Sequence, residues 1–122
     1  MKNILRFGLG IAATAALGLA VDMYHGQLMD ASCYNQNSSQ PAEKIWVKCA
    51  PTASTTAFAI HTNGKVRMLD AAGNDKALTA FKEGILKRDP NGDMPVVVDG
   101  VRQGNTIKVE GIRARGSDTS VH

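Results

Sequence analysis

From Met23 to Asp30, residues alternate between two faces: Tyr24, Gly26 and Leu28 on one, Met23, His25, Gln27 and Met29 on the other. A period of two predicts a β-strand. A second β-run, Thr55 to Thr62, is rich in β-branched and aromatic residues, which suit a pleated surface. Asn63-Gly64 follows, a pair suited to the positive φ angles of a two-residue hairpin turn, and Lys65 to Asp70 is the returning strand. The period then lengthens. Between Asn74 and Lys87, the residues Ala77, Leu78, Phe81 and Ile85 share one helical stripe. Asn74 or Asp75 can cap its start, and Lys87 and Arg88 complement the negative end of its dipole. Asp89-Pro90-Asn91-Gly92 predicts a turn. Two further strands, Met94 to Val101 and Thr106 to Ile112, are joined through Gln103-Gly104-Asn105, and Gly111 marks a bulge in the second.

The resulting order is mainly β with one helix, β-β-β-α-β-β. The OB-fold, a small five-stranded Greek-key barrel, has that order and size. Its helix lies between the third and fourth strands and plugs one end of the barrel, a role that Leu78, Phe81 and Ile85 would fill. The alternative is a small α+β sheet with one packed helix. The domain is expected over residues 21–115, followed by a flexible tail at 116–122.

The start of the chain has a different pattern. Lys2 and Arg6 precede an uncharged stretch from Phe7 to Val21, and Gly18-Leu19-Ala20 supplies small residues where a signal peptidase cuts. Residues 1–20 therefore read as a signal peptide cleaved near Ala20, which predicts a periplasmic or secreted protein. A spanning helix needs roughly twenty predominantly apolar residues. This stretch is shorter, rich in Ala and Gly, and stopped by Asp22, so no transmembrane segment is expected in the mature chain. The first cysteine, Cys33, is too far from the cut for a lipoprotein.

Export alters the charge balance. The chain has 14 basic and 11 acidic residues, but Lys2 and Arg6 leave with the signal, so the mature protein has 12 against 11, a net +1. A nucleic-acid binder presents a basic stripe; here most basic residues are interleaved with acids, and a nucleic-acid partner is not expected. Cys33 and Cys49 are the only cysteines. In an exported chain they predict one disulfide, closing a polar, turn-prone loop with Ile45-Trp46-Val47 just before its second end. Neither a Cys-x-x-Cys unit nor the ligand spacing of a structural zinc site is present.

Several local patterns together resemble a family of small exported bacterial proteins of unknown function, of acidobacterial type. They are Gly26-x-Leu28-x-Asp30-x-x-Cys33, a second cysteine before the second strand, the Asn63-Gly64-Lys65-Val66 hairpin, and the closing Gly104-Asn105-Thr106-Ile107-Lys108-Val109-Glu110. The resemblance brings no catalytic residues with it. A looser similarity, of topology and export alone, is to periplasmic bacterial OB-fold proteins.

No pattern specifies a catalytic chemistry. The serines lack a nucleophile elbow, and glycine-rich phosphate loops are absent. Asp30 is placed to cap the amides of Ser32 and Cys33. Asp70 and Asp75 lack the spacing of a calcium loop and read as strand-to-helix turn chemistry. His25 and His61 lie on strands that neighbour each other in an OB barrel, which makes them weak candidates for a metal site. Tyr34 and Trp46, beside and within the bridged loop, form a candidate patch for an envelope glycan, peptide or protein; packing of Trp46 under the loop is the competing reading. The sequence thus predicts a non-enzymatic, cofactor-free binding or structural module of the periplasm or cell envelope. The alternative is a metal-binding or thiol-active envelope protein.

Overall fold

A computed structural model describes residues 20–40 and 42–122. The expected signal peptide lies outside them except for Ala20. Six strands and three helices follow in the order β1 (Asp22–Asp30), α1 (Ala31–Asn37), α2 (Ile45–Lys48), β2 (Phe58–Thr62), β3 (Lys65–Leu69), α3 (Ala71–Lys82), β4 (Pro95–Gln103), β5 (Thr106–Ala114) and β6 (Ser120–Val121).

The first five strands close into an OB-fold-like barrel. β1 pairs antiparallel with β2 through its second half and with β4 through its first. β2 and β3 form a hairpin across Asn63 (φ 50°) and Gly64 (φ 76°), and β4 pairs with β5. Closure comes from a short parallel pairing of β3 with β5, Met68 against Thr106 and Leu69 against Ile107. That contact rules out the open α+β sheet. β1 can be shared between two partners because Gly26 lets β2 come close: a Cβ there would collide with the carbonyl oxygen of His61.

Alternation of side chains puts Leu28, Phe58, Ile60, Leu69, Val96, Val98, Ile107, Val109 and Ile112 inside the barrel. Between β4 and β5 the register jumps: Asp99 opposes Gly111 while Gly100 opposes Val109, leaving Glu110 as the extra residue. The bulge falls beside Gly111, as expected.

The helix is displaced from its predicted position. It begins at Ala71, not Asn74, because Asp70 is the cap and accepts from the amide of Gly73 at 2.9 Å. The same Asp70 oxygen accepts from Val109 at 3.2 Å, tying α3 to β5. Asn74, expected as a cap, instead accepts from the amide of Phe58 at 2.9 Å. The helix ends at Lys82, before Gly84 (φ 75°), so Lys87 and Arg88 lie beyond it. Gly73, Ala77 and Ala80 are its buried residues against the barrel, with Leu78, Phe81 and Ile85 packed partly buried around them. In the segment expected to be a flexible tail, Ser120 and Val121 pair with Arg113 and Ile112 and add a sixth strand.

A second cluster lies on the outer face of the barrel. Met29, on the face opposite Leu28 by alternation, is fully buried there together with Ala59, beneath Ala31, Ile45 and Cys49. The connection from β1 to β2 supplies this cover. Its two short helices are joined by the disulfide Cys33–Cys49.

Candidate functional site

The bridged connection is fixed to the barrel at both ends. Asp30, the last residue of β1, caps α1 by accepting from the amide of Cys33 at 3.0 Å. Its other oxygen accepts from the hydroxyl of Thr55 at 2.6 Å, and Thr55 itself is buried. The amide of Asp30 donates to the carbonyl of Cys49 at 2.7 Å. Asp30 thus holds the beginning and the end of the connection to one point on the sheet.

Trp46 makes a third attachment. Its indole Nε1 donates to Asp93 Oδ1 at 2.9 Å, reaching the turn before β4. Its ring lies against that of His61, with centroids 4.7 Å apart and planes at 42°. Half-buried in the outer cluster, Trp46 is a strut between the connection, β2 and the β4 turn.

Beside this strut a groove of about 580 Å³ opens on the β2–β3 face. Tyr34 and Ile45 come from the bridged connection, His61 from β2, Gly64 from the hairpin turn, Lys65, Val66 and Arg67 from β3, and Asn105 from the β4–β5 turn. His61 and Val66 are cross-strand partners. The β3–β5 closure brings Asn105 close: its carbonyl accepts from the amide of Met68 at 3.0 Å. Arg67 bridges the same gap, its Nη1 lying 3.4 Å from the carbonyl oxygen of Gly104 and 3.3 Å from Asn105 Oδ1. Among the described residues, no carboxylate lines the groove. In OB-folds, the strand 2–3 face and the connections after strands 1 and 4 are where oligonucleotides and oligosaccharides bind, and this groove occupies that position.

The structure treats the expected site residues differently. Cys33 and Cys49 are bridged to each other, and the described residues hold no free cysteine. Tyr34 lines the groove, whereas Trp46 does not and directs its polar edge to Asp93. His25 and His61 share the outer side of neighbouring strands but line separate hollows. His25 belongs to a recess of about 290 Å³ with Asp22, Met23, Tyr24, Thr62 and Asn63, and the ring of His61 rests on Trp46. Among the described residues, no group of three or more His, Cys, Asp or Glu side chains is placed to hold a metal ion. No described helix is long and apolar enough to cross a membrane.

Lys65, Arg67 and Asn105 are groove residues that their local patterns do not mark. The one signal available is positional: Lys65 and Arg67 flank Val66 on the strand after the Asn-Gly turn, which an OB-fold makes part of its binding face.

No protein-family model matches this chain, and no curated protein or solved structure is significantly similar to it.

Proposed function

We propose that the protein is an exported, non-enzymatic binding module of the periplasm or cell envelope, with the β2–β3 groove as its ligand site. The observation that carries this reading is the position of the groove. It lies on the face where OB-folds hold ligands, with one wall from the bridged connection and another from the β4–β5 turn. Its lining combines hydrogen-bond donors, two aromatic rings and two aliphatic side chains. Such a mixture suits recognition, in which a few polar groups orient a ligand over an apolar surface. The signal-like residues 1–20 and the disulfide support export.

The test is a glycan and peptide array probed with mature protein, with Tyr34→Ala and Trp46→Phe variants whose melting curves show them folded. Tyr34→Ala removes a groove wall and is expected to abolish binding. Trp46→Phe removes the hydrogen bond to Asp93 and shortens the ring beside His61 while leaving the groove lining in place, and should leave binding intact. A signal indifferent to Tyr34→Ala would contradict the assignment of the site.

A further inference from the structure

We propose that the groove takes an extended peptide that adds a strand to the open edge of β3, with an acidic residue on either side of an apolar one; this rests on the groove being the ligand site. The backbone of β3 supplies the edge. Residues along an antiparallel strand alternate, one bonding to the partner strand and the next turning its N–H and C=O away. The amide of Met68 turns away from β2 and donates to the carbonyl of Asn105 at 3.0 Å. Val66 is two residues earlier, so its N–H and C=O face the same edge. Its cross-strand partner agrees, since the carbonyl of His61 faces Gly26 on β1. The parallel ladder to β5 begins only at Met68, and among the described residues no backbone hydrogen bond from a turn or loop reaches Val66. Lys65 to Arg67 therefore presents about 10 Å of unpaired strand, and all three residues line the groove. Such an edge is a template for main-chain pairing with another chain.

The two faces of β3 then set the side chains of the added strand, because directly paired residues share a face. Val66 opposes His61 and packs with Tyr34 on the outer cluster. The residue paired with Val66 therefore meets an apolar and aromatic surface. Lys65 opposes Thr62, and Arg67 opposes the fully buried Ile60, so both cations leave the other face. Arg67 Nη1 lies 3.4 Å from the carbonyl oxygen of Gly104 and 3.3 Å from Asn105 Oδ1, both neutral acceptors. These contacts hold the guanidinium beside the edge without cancelling its charge. Carboxylates on the residues paired with Lys65 and Arg67 would complement both cations. The motif is thus acidic, apolar, acidic, and it reads the same in either chain direction.

The same charges disfavour a second copy of this chain as the occupant. Two β3 edges pairing antiparallel about Val66 would set each Lys65 against the other copy's Arg67. Like charges directly opposite each other destabilise a sheet. The β4–β5 turn, where Asn105 bonds to Met68, closes one end of the edge and restricts the ligand to a short segment.

The experiment is an amide-resolved NMR titration of the mature protein with the capped peptide Ser-Glu-Ile-Glu-Ser and its counterparts Ser-Gln-Ile-Gln-Ser and Ser-Lys-Ile-Lys-Ser. Expected are a downfield shift and slowed exchange of the Val66 amide proton. The acidic peptide should bind about tenfold more tightly than the Gln peptide, and the Lys peptide should not bind. Lys65→Glu combined with Arg67→Glu should reverse that order. Two N-methylated acidic peptides test the pairing without altering the protein. In an antiparallel strand the residue paired with Val66 bonds through its own amide, and in a parallel strand the following residue does so. N-methylation of the Ile or of the Glu after it should therefore abolish binding, whichever amide faces Val66, and the other should be tolerated. Undiminished binding of both N-methylated peptides would overturn the added strand. Equal binding of the three parent peptides would overturn the acidic preference. A Val66 amide that shifts with protein concentration alone, with a dimer in sedimentation equilibrium, would overturn the peptide as occupant. If no peptide moves the Val66 amide, the proposal falls. The groove reading falls with it only if array-selected ligands also leave the amides of Tyr34, His61 and Val66 unmoved.

Discussion

Replacing both bridge cysteines, Cys33→Ala with Cys49→Ala, tests how the groove wall is held. The 16-residue separation of the cysteines encloses fifteen residues, a loop for which the chain-entropy model gives a stabilisation of about 3 kcal/mol. Burial in the connection is a weak substitute. Among the described residues its buried apolar side chains are Ala31, Ile45, Cys49, Ala50 and Pro51, of which only Ile45 is large. Burying an Ile contributes about 1.5–3 kcal/mol, whereas ordering each backbone residue costs about 1–2 kcal/mol. The double variant should therefore lose about 3 kcal/mol in guanidinium denaturation. For a domain of about a hundred residues this lowers Tm by roughly 12–24 °C.

The loss should also be local. Amide exchange is expected to accelerate across α1 and α2 while β4 and β5 in the barrel core stay protected. Tyr34 and Ile45 would lose their fixed positions, so ligand binding should fail in a protein whose barrel is still folded. A loss below about 1 kcal/mol, with α1 and α2 as protected as before, would refute the reasoning. The outer cluster would then hold the connection without the bridge.

Three further outcomes are expected. Gly73→Ala should destabilise the protein by about 1 kcal/mol or more in urea, although Ala is the better helix former by about that amount: the new methyl meets Val109 Cβ at 2.8 Å and Asp70 Oδ1 at 2.9 Å, and overpacking costs about 1–3 kcal/mol. A gain in stability would contradict that packing. Asp30→Ala removes acceptors from Cys33 N and the buried hydroxyl of Thr55, for an expected loss of about 1–3 kcal/mol and early exchange in α1; an unchanged denaturation midpoint would count against Asp30 as the anchor. Residues 1–20 fused to alkaline phosphatase should give activity outside the cytoplasm, and N-terminal sequencing of the full chain should begin close to Val21. An inactive fusion would count against export.

The barrel was legible because its interior obeys a simple rule. Alternation in β1 and the Asn63-Gly64 turn follow directly from local sequence, and closing the strands needs only that their inner faces be buried. The start of α3 was hidden by Gly73, which looks like a helix breaker but sits where Val109 leaves no room for a Cβ. The outer cluster was hidden for a different reason. A period of two puts Met29 on the face away from Leu28, and the fold of the bridged connection over β1 and β2 buries that face. Tyr34 was legible as a candidate aromatic beside the bridge, and it lines the groove. The rest of the groove was not, because Asn105 and Arg67 meet only through the β3–β5 closure, 38 residues apart in sequence. Trp46 is open in sequence to two readings, a recognition patch or packing under the loop, and its bond to Asp93 over a separation of 47 residues makes it a strut.

The most direct measurement is a crystal structure of the mature protein with the tightest ligand found on the glycan and peptide array. The ligand is predicted on the β2–β3 face, against Tyr34, His61 and Val66. A ligand seated instead in the recess of Tyr24 and His25, or in the hollow between α3 and His122, would contradict the account.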